Sequence, residues 1–182
     1  MLLYVLGAFV AIVLILAIVI ATRPTEFRVV RSITMKGPAS AAFALVNDFH
    51  EWTKWSPWEK IDPALQRSYD GAASGVGAKY AWVGNSSVGQ GNMTILESAP
   101  NSTIRIALVF LKPMAGTSTA EFSFKEDAGI TTVTWTMDGT NNFFAKAFGL
   151  FMSMDTMIGG QFEQGLADMK AIVEAAPPQK AG

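Results

Sequence analysis

The residues of this chain that could do chemistry are few and well separated. Its one histidine, His50, could act as a general base near neutral pH, but its place beside a predicted helix cap at Asp48 favours an exposed position. The absence of cysteine excludes disulfides, thiolate metal sites and cysteine nucleophiles, and a single histidine excludes a multi-histidine metal site. No serine occupies a Gly-x-Ser-x-Gly elbow. We therefore predict no catalytic residue, no metal site and no cofactor.

A few charged residues stand among apolar strand residues and could serve a cavity. Glu97, Asp138 and Asp155 are candidates for a carboxyl group inside an apolar site, where burial would raise its pKa. Arg31 interrupts an apolar strand and Arg105 flanks one. Facing inward, either arginine could meet a ligand carboxylate or phosphate. Solvent exposure is favoured for Arg105, and the direction of Arg31 is open.

Aromatic residues offer a second kind of site. Trp52, Trp55 and Trp58 lie three apart, so they can share one side of a short helix and the turn after it. They could form a lip over a cavity or fix the helix to a core, with Trp58, beyond Pro57, the one expected to face a ligand. Residues 143–158, FFAKAFGLFMSMDTMI, are rich in Phe and Met. Such a segment could be core, cavity wall or membrane contact.

Most of the elements that must position these residues are strands. Apolar residues of the first strand alternate with polar ones at Phe27, Val29, Ile33 and Met35. Six more short strands are predicted at Leu65–Tyr69, Lys79–Val83, Gly91–Glu97, Thr103–Leu111, Ser118–Lys125 and Thr131–Met137. Their short connections require antiparallel neighbours. Residues 71–77, although glycine-rich, precede a strand and are predicted to form a hairpin turn and not a phosphate loop.

Helices interrupt and end this pattern. Pro38 suits the start of a helix, and a second short helix, capped by Asp48 with Glu51 three residues on, must end before Pro57. After Gly139 the apolar period changes to that of a long helix, which we expect to be interrupted or bent at Gly159–Gly160. This helix is the element large enough to cover the apolar face of the sheet.

The N-terminal segment differs from the rest. Residues 2–21 are uncharged and, as a helix, would span roughly 30 Å, the thickness of a bilayer core. No basic residue precedes this stretch and it is too long for a signal peptide, which favours a retained anchor. Basic residues on its C-terminal side, from Arg23 to Lys36, predict a cytoplasmic domain. Three Asn-x-Ser/Thr triplets, at Asn85, Asn92 and Asn101, favour the opposite orientation.

Charge and length limit the remaining possibilities. A formal net charge of −1 excludes broad electrostatic attraction to nucleic acid. The 182 residues suffice for one domain and one extra element. We divide the chain into a transmembrane anchor (1–22), a short linker (23–26), a folded domain (27–176) and a disordered tail (177–182).

The folded domain resembles a known superfamily in element order and in local motifs. The motifs are WTKWSPW (Trp52–Trp58), Tyr69-Asp70-Gly71, Gly75-Val76-Gly77, Tyr80-Ala81-Trp82, Val133-Thr134-Trp135 and Met154-Asp155…Gly159…Phe162-Glu163…Leu166. Over residues 26–175 the chain is similar to the START-like helix-grip superfamily (SRPBCC), within it to the membrane-anchored polyketide cyclase/dehydrase-type group. The resemblance implies an α+β fold of order β-α-α-β6-α. A curved seven-stranded antiparallel sheet would then wrap a long C-terminal helix and leave a cavity between them.

We interpret the protein as a single-pass membrane protein whose domain binds a hydrophobic small molecule or lipid in that cavity. A polyketide cyclase/dehydratase-like enzyme and a protein-interaction module without ligand are the alternatives. The membrane is contacted through residues 2–21, nucleic acid is excluded as a partner, and no protein partner is indicated. The predicted ligand-contacting residues are Trp55, Trp58, Tyr80, Trp82, Ile106, Phe110, Trp135, Phe148 and Phe151.

Overall fold

The computed structural model describes residues 1–150 and 153–176, and the predicted tail lies outside them. The helices are α1 (Leu2–Ala21), α2 (Ala39–Asn47), α3 (Trp52–Trp55), α4 (Trp58–Ile61), α5 (Phe143–Phe148) and α6 (Met154–Ala175). The strands are β1 (Glu26–Lys36), β2 (Gln66–Gly71), β3 (Ala78–Val83), β4 (Gln90–Ala99), β5 (Thr103–Lys112), β6 (Gly116–Asp127) and β7 (Ile130–Thr140). A single 3-10 turn, Phe49–Glu51, precedes α3. The predicted α+β order is confirmed.

The seven strands form one sheet in the order β1-β7-β6-β5-β4-β3-β2. Every neighbouring pair is antiparallel, and β2 to β7 follow one another as hairpins. The first strand closes the other edge by pairing with the last, with Glu26 opposite Thr140 and Lys36 opposite Ile130. The chain between Gly71 and Ala78 is the predicted hairpin turn.

Alternation along the strands turns one face of the sheet inward. On β7, Val133, Trp135 and Met137 are buried, as Tyr80 and Trp82 are on β3. This period of two is what a sheet with one covered face requires. The cover on this concave face is α6 together with α2 and the short helices.

The long C-terminal helix packs closely on the sheet through small and apolar residues. A side chain at Gly159 would collide with the guanidinium of Arg31 on β1, and one at Gly165 would crowd the rings of Trp135 and Trp55. The predicted interruption at Gly159–Gly160 is wrong, because α6 runs through both residues without a break. The helix instead begins at Met154, where the Ser153 side chain accepts a hydrogen bond from the Thr156 amide as an N-cap.

Two tryptophans attach the short helices to α2. The indole of Trp55 donates to the carbonyl of Leu45 at 2.9 Å, and that of Trp52 donates to the carbonyl of Val46 at 3.1 Å. Carbonyls in the last turn of a helix have no partner within it. These tryptophans therefore fill a hydrogen-bonding need as well as a space in the core. As predicted, α3 ends before Pro57 and Asp48 caps the turn ahead of it.

The N-terminal helix joins the domain through a short, tied connection. Only residues 22–25 separate α1 from β1. Thr25 accepts a hydrogen bond from the Asn141 amide at 2.6 Å and one from Lys146 Nζ at 2.9 Å. In length and composition α1 could cross a membrane, and a signal sequence would meet the same criteria.

Candidate functional site

A cavity of about 160 Å³ lies between the concave face of the sheet and α6. Its wall is almost entirely apolar and aromatic, with a small polar region. The lining residues are Trp52, Ser56, Trp58, Glu59, Leu65, Tyr80, Trp82, Val88, Met93, Leu108, Phe110, Ala120, Trp135, Met137, Ile158 and Phe162. An apolar cavity of about this size in a protein core stays dry and accepts a benzene ring.

The structure brings five of the predicted ligand-contacting residues to this cavity and separates the others from it. Those that line it are Trp58, Tyr80, Trp82, Phe110 and Trp135. Trp55 and Ile106 are fully buried in the core instead, outside the described lining. Phe148 is exposed on α5, and Phe151 falls outside the described residues.

Stacked aromatic rings form part of the cavity wall. The rings of Trp135 and Phe162 are 3.8 Å apart between centroids and within 6° of parallel. Trp135 also stacks on Phe122, with 4.7 Å between the ring centroids. The Trp135 indole nitrogen is buried and has no hydrogen-bond partner among the residues that the structure describes. An unpaired buried N–H lowers the stability of the fold.

The polar end of the cavity is built around Glu59. Its carboxylate accepts a hydrogen bond from the Tyr80 hydroxyl at 2.6 Å and one from Arg67 Nε at 2.5 Å. The side chain is only 6% exposed, so this charge depends on its partners. Burial, and then the bond to Glu59, raise the pKa of Tyr80 well above its usual range, so the phenol stays protonated. The same carboxylate raises the pKa of Arg67.

Glu59 was not predicted from the sequence, in which other carboxylates were the candidates. Glu97, Asp138 and Asp155 are more than half exposed, and they pair with Arg105, Arg28 and Arg31 respectively. Glu59 lies in α4, and because α3 and α4 are separate short helices, no helical spacing in the sequence links it to the other residues of the cavity.

Arg31 faces the concave side but meets the protein's own carboxylates. Its guanidinium pairs with Asp155 at 2.8 Å and with Glu163 at 2.6 Å, both on α6. These hydrogen bonds raise the pKa of Arg31 and lower that of Asp155. Arg31 is therefore part of the attachment of α6 to β1, outside the described cavity lining. Arg105 pairs with Glu97 at 2.9 Å on the surface.

The remaining candidates lie on the surface or at the rim. His50 is exposed, 2.7 Å from Asp48, and stacks on Tyr69. Within the Phe/Met-rich segment, Ile158 lines the cavity while Phe148 and Met157 are exposed. Among residues 1–150 and 153–176 no group of three His, Cys, Asp or Glu side chains could hold a metal ion. The site is thus equipped to bind an apolar group and to hydrogen bond one polar atom beside Glu59.

Comparison with known proteins agrees with this architecture. A protein from Chromobacterium violaceum, CV1439, is similar to the chain at 16% identity, with 84% of this chain and 100% of that chain covered and a TM-score of 0.57. The Aha1 dimer from Colwellia psychrerythraea is similar at 14% identity, covering 82% and 97%, with a TM-score of 0.59. The TM-scores show a shared fold, and identities this low show the fold alone.

A third similar structure is the di-domain ARO/CYC protein BexL from the BE-7585A biosynthetic pathway. It is 13% identical, with 87% of this chain and 53% of that chain covered and a TM-score of 0.64. No curated protein sequence matches the chain. The family model described as "Polyketide cyclase / dehydrase and lipid transport" matches residues 26–174. Since that match takes in β1 to nearly the end of α6, the chain belongs to the polyketide cyclase/dehydrase and lipid transport family.

Proposed function

We propose that the domain binds a hydrophobic small molecule in the cavity between the sheet and α6, with Trp58, Tyr80, Trp82, Phe110 and Trp135 among the residues in contact with it. The observation that carries this proposal is the aromatic cavity of about 160 Å³ with one buried carboxylate at its wall. Apolar surface removed from water contributes about 25 cal/mol per Å². The cavity also disfavours an interaction module whose interior is filled by side chains.

The size of the cavity limits what enters it fully. A single ring or a short apolar chain fits about 160 Å³. A larger ligand, such as a lipid, would leave part of its length outside the cavity. The Glu59 carboxylate, already bonded to Tyr80 and Arg67, has lone pairs left to accept from a hydroxyl. The best-matched ligand is an apolar ring with one hydrogen-bond donor.

We further propose that α1 is a retained anchor and that the domain is cytoplasmic. The uncharged length of α1 supports the anchor, and the basic residues that follow it, Arg23, Arg28, Arg31 and Lys36, support the orientation. Intact-mass measurement of the protein from cells tests retention. Recovery of a mature chain beginning near Thr22 would overturn it.

The binding proposal is tested with the full chain in lipid nanodiscs, titrated with 4-ethylphenol, a single apolar ring with one hydroxyl, and followed by native mass spectrometry. We expect saturable one-to-one binding that Ala120→Leu abolishes, because Ala120 lines the cavity and is buried. The matched control is Ala107→Leu, on the neighbouring strand where Ala107 pairs with Thr119, outside the described lining. Equal binding by both variants would exclude this cavity as the site.

A cyclase/dehydratase-like activity is the second candidate, and Glu59 is the observation that favours it. A buried carboxylate in an apolar site is a possible proton acceptor for a bound substrate. The test compares molecules that copurify with the wild type and with Glu59→Gln. If the protein is an enzyme, Glu59→Gln should retain a precursor that differs from the wild-type ligand by one water. If it only binds its ligand, Glu59→Gln should retain the same molecule as the wild type at lower occupancy.

A further inference from the structure

Strand registers gather several separate segments at one end of the sheet. Glu26 pairs with Thr140, and Phe110 pairs with Gly116 next to the β5–β6 turn. Ser118, early in β6, pairs with Gly139, late in β7. The start of β1, the β5–β6 turn and the approach to α5 therefore share the end at which α1 enters the domain. We call this end the anchor end.

Large apolar side chains are exposed at the anchor end. Leu111 at the end of β5 is 48% exposed, Met114 in the turn to β6 is 47% exposed, and Phe148 on α5 is 50% exposed. Lys112 lies between the first two and Lys146 lies on α5. Large apolar residues beside lysines are typical of segments that sit at the boundary between lipid headgroups and acyl chains. Glu26 also lies at this end, so the surface is mixed in charge and not uniformly basic.

The contact between α1 and α5 fixes the depth of this surface. These two helices touch, and the half-buried residues of α1 are Ala17 and Ile20, in its last turns. At 1.5 Å rise per residue, Ala17 lies about 6 Å inside the end of the helix. A segment in contact with that part of a spanning helix is itself at the level of the membrane boundary.

The cavity has its half-buried rim toward the same end. Phe110 pairs with the first residue of β6, and Val88 lies in the turn before β4, which pairs with the end of β5. Ile158, in the second turn of α6, completes this rim. The deeper lining, including Trp52 and Trp135, is buried.

We propose that the anchor end, with Leu111, Met114 and Phe148, docks into the surface of the bilayer that holds α1, so that the cavity rim faces lipid. This docking proposal rests on the proposed anchor function of α1. It adds that the domain's partner is a lipid surface, and it gives the route by which an apolar ligand reaches the cavity. Such a ligand passes between membrane and cavity without crossing water.

The test uses single-cysteine variants of the full chain, because the natural sequence contains no cysteine and each label is unique. A polarity-sensitive fluorophore is attached at Leu111→Cys or Phe148→Cys in vesicles of phosphatidylcholine and phosphatidylglycerol. Quenching by lipids brominated near the headgroup is then measured. Ile130→Cys is the matched control, since Ile130 is also 48% exposed but starts β7 at the opposite end of the sheet. Val10→Cys reports on α1 itself.

We expect quenching at positions 111 and 148 to be several-fold greater than at position 130. Equal quenching at 111 and 130 would overturn the docking proposal. If Val10→Cys is nevertheless quenched by deeply brominated lipid, the anchor stands and only the docking fails. If no position is quenched, the anchor and the docking both fail.

Discussion

The interface between α6 and the sheet has two parts that differ in packing. Where α6 packs on β1, Gly159 lies against Arg31, which joins the strand to the helix by two ion pairs, and Leu166, Met169 and Val173 farther along the helix are buried. Where α6 faces β3 to β7, Ile158 and Phe162 line a cavity. We call these the closed part and the open part.

The strands in both parts have the same alternation of apolar and polar residues, so the cavity does not arise from a different sequence pattern. It arises because the helix lies at different distances from the strands that it covers. The closed part has α6 directly against β1. In the open part a cavity separates α6 from the sheet, and the small side chain of Ala120 and the rings of Trp58 and Trp82 are among the residues that line it. The cavity thus requires that α6 be separated from the sheet over only part of the helix.

The largest effect is expected where the open part meets the core. Trp135→Ala should lower the free energy of unfolding by about 3–5 kcal/mol, because Trp135 is buried and stacks on Phe162 and Phe122. Trp58→Ala, at a half-buried position, should cost less than half as much. Denaturant unfolding of the full chain in detergent measures both. Trp135→Phe is the control, since it keeps a ring and removes the unpartnered N–H.

Adding volume should distinguish the two parts directly. Ala42→Leu, at a fully buried position of α2, should destabilise the protein by about 1–3 kcal/mol through overpacking. Ala120→Leu extends into the cavity and should cost less than 1 kcal/mol. Thermal unfolding of both variants tests the difference. Similar losses for both would mean that the open part cannot accept added volume.

Two adjacent glycines of α6 offer a sharper comparison within the closed part. A Cβ at Gly159 would overlap the guanidinium of Arg31, so Gly159→Ala must shift that group against its ion pairs with Asp155 and Glu163. Gly160 has nothing within 4 Å, and Gly160→Ala should stabilise the helix by about 0.5–1 kcal/mol. We expect melting temperatures to move in opposite directions. A rise for both variants would show that Arg31 adjusts without loss.

The smallest expected effect is a loss of stability in alkali from the open part. A tyrosine whose pKa in the folded state is raised above the usual value of about 10 stabilises the fold while it stays protonated. This contribution is complete below about pH 10 and is lost progressively as the pH rises above that value. Burial raises the pKa of Tyr80 in this way. Between about pH 9 and 11, Tyr80→Phe should lose less stability than the wild type.

Much of the fold could be predicted because alternation and turn residues act locally. The six strands after residue 64 and the covering helix follow from apolar periods and from short connections. The start of α6 could not be predicted in the same way. The apolar stripe continues across residues 149–153, whereas the helix boundary is set by the Ser153 cap. From the sequence alone, Gly159 predicts a break in the helix. The structure shows that a glycine is needed there because the guanidinium of Arg31 lies against it.

The candidate site was less predictable, because burial of a charge depends on partners distant in sequence. Glu59 is held by Tyr80, 21 residues away, and no local pattern marks that pairing. Arg31 is satisfied by residues more than a hundred positions along the chain. Trp82 and Trp135, by contrast, share strand alternation with apolar neighbours, and both face the concave side as predicted.

The hydrogen bonds from indole nitrogens to α2 determine which of the three tryptophans of the WTKWSPW motif can be replaced by another aromatic residue. At positions 52 and 55 a phenylalanine would preserve an aromatic ring but leave the Val46 or Leu45 carbonyl without its donor. An unmet carbonyl in the core costs about 1–3 kcal/mol. Trp58 lines the cavity as Trp52 does, but its indole makes no such bond to α2 among the residues that the structure describes. We therefore expect related sequences to keep tryptophan at the first two positions and to vary at the third.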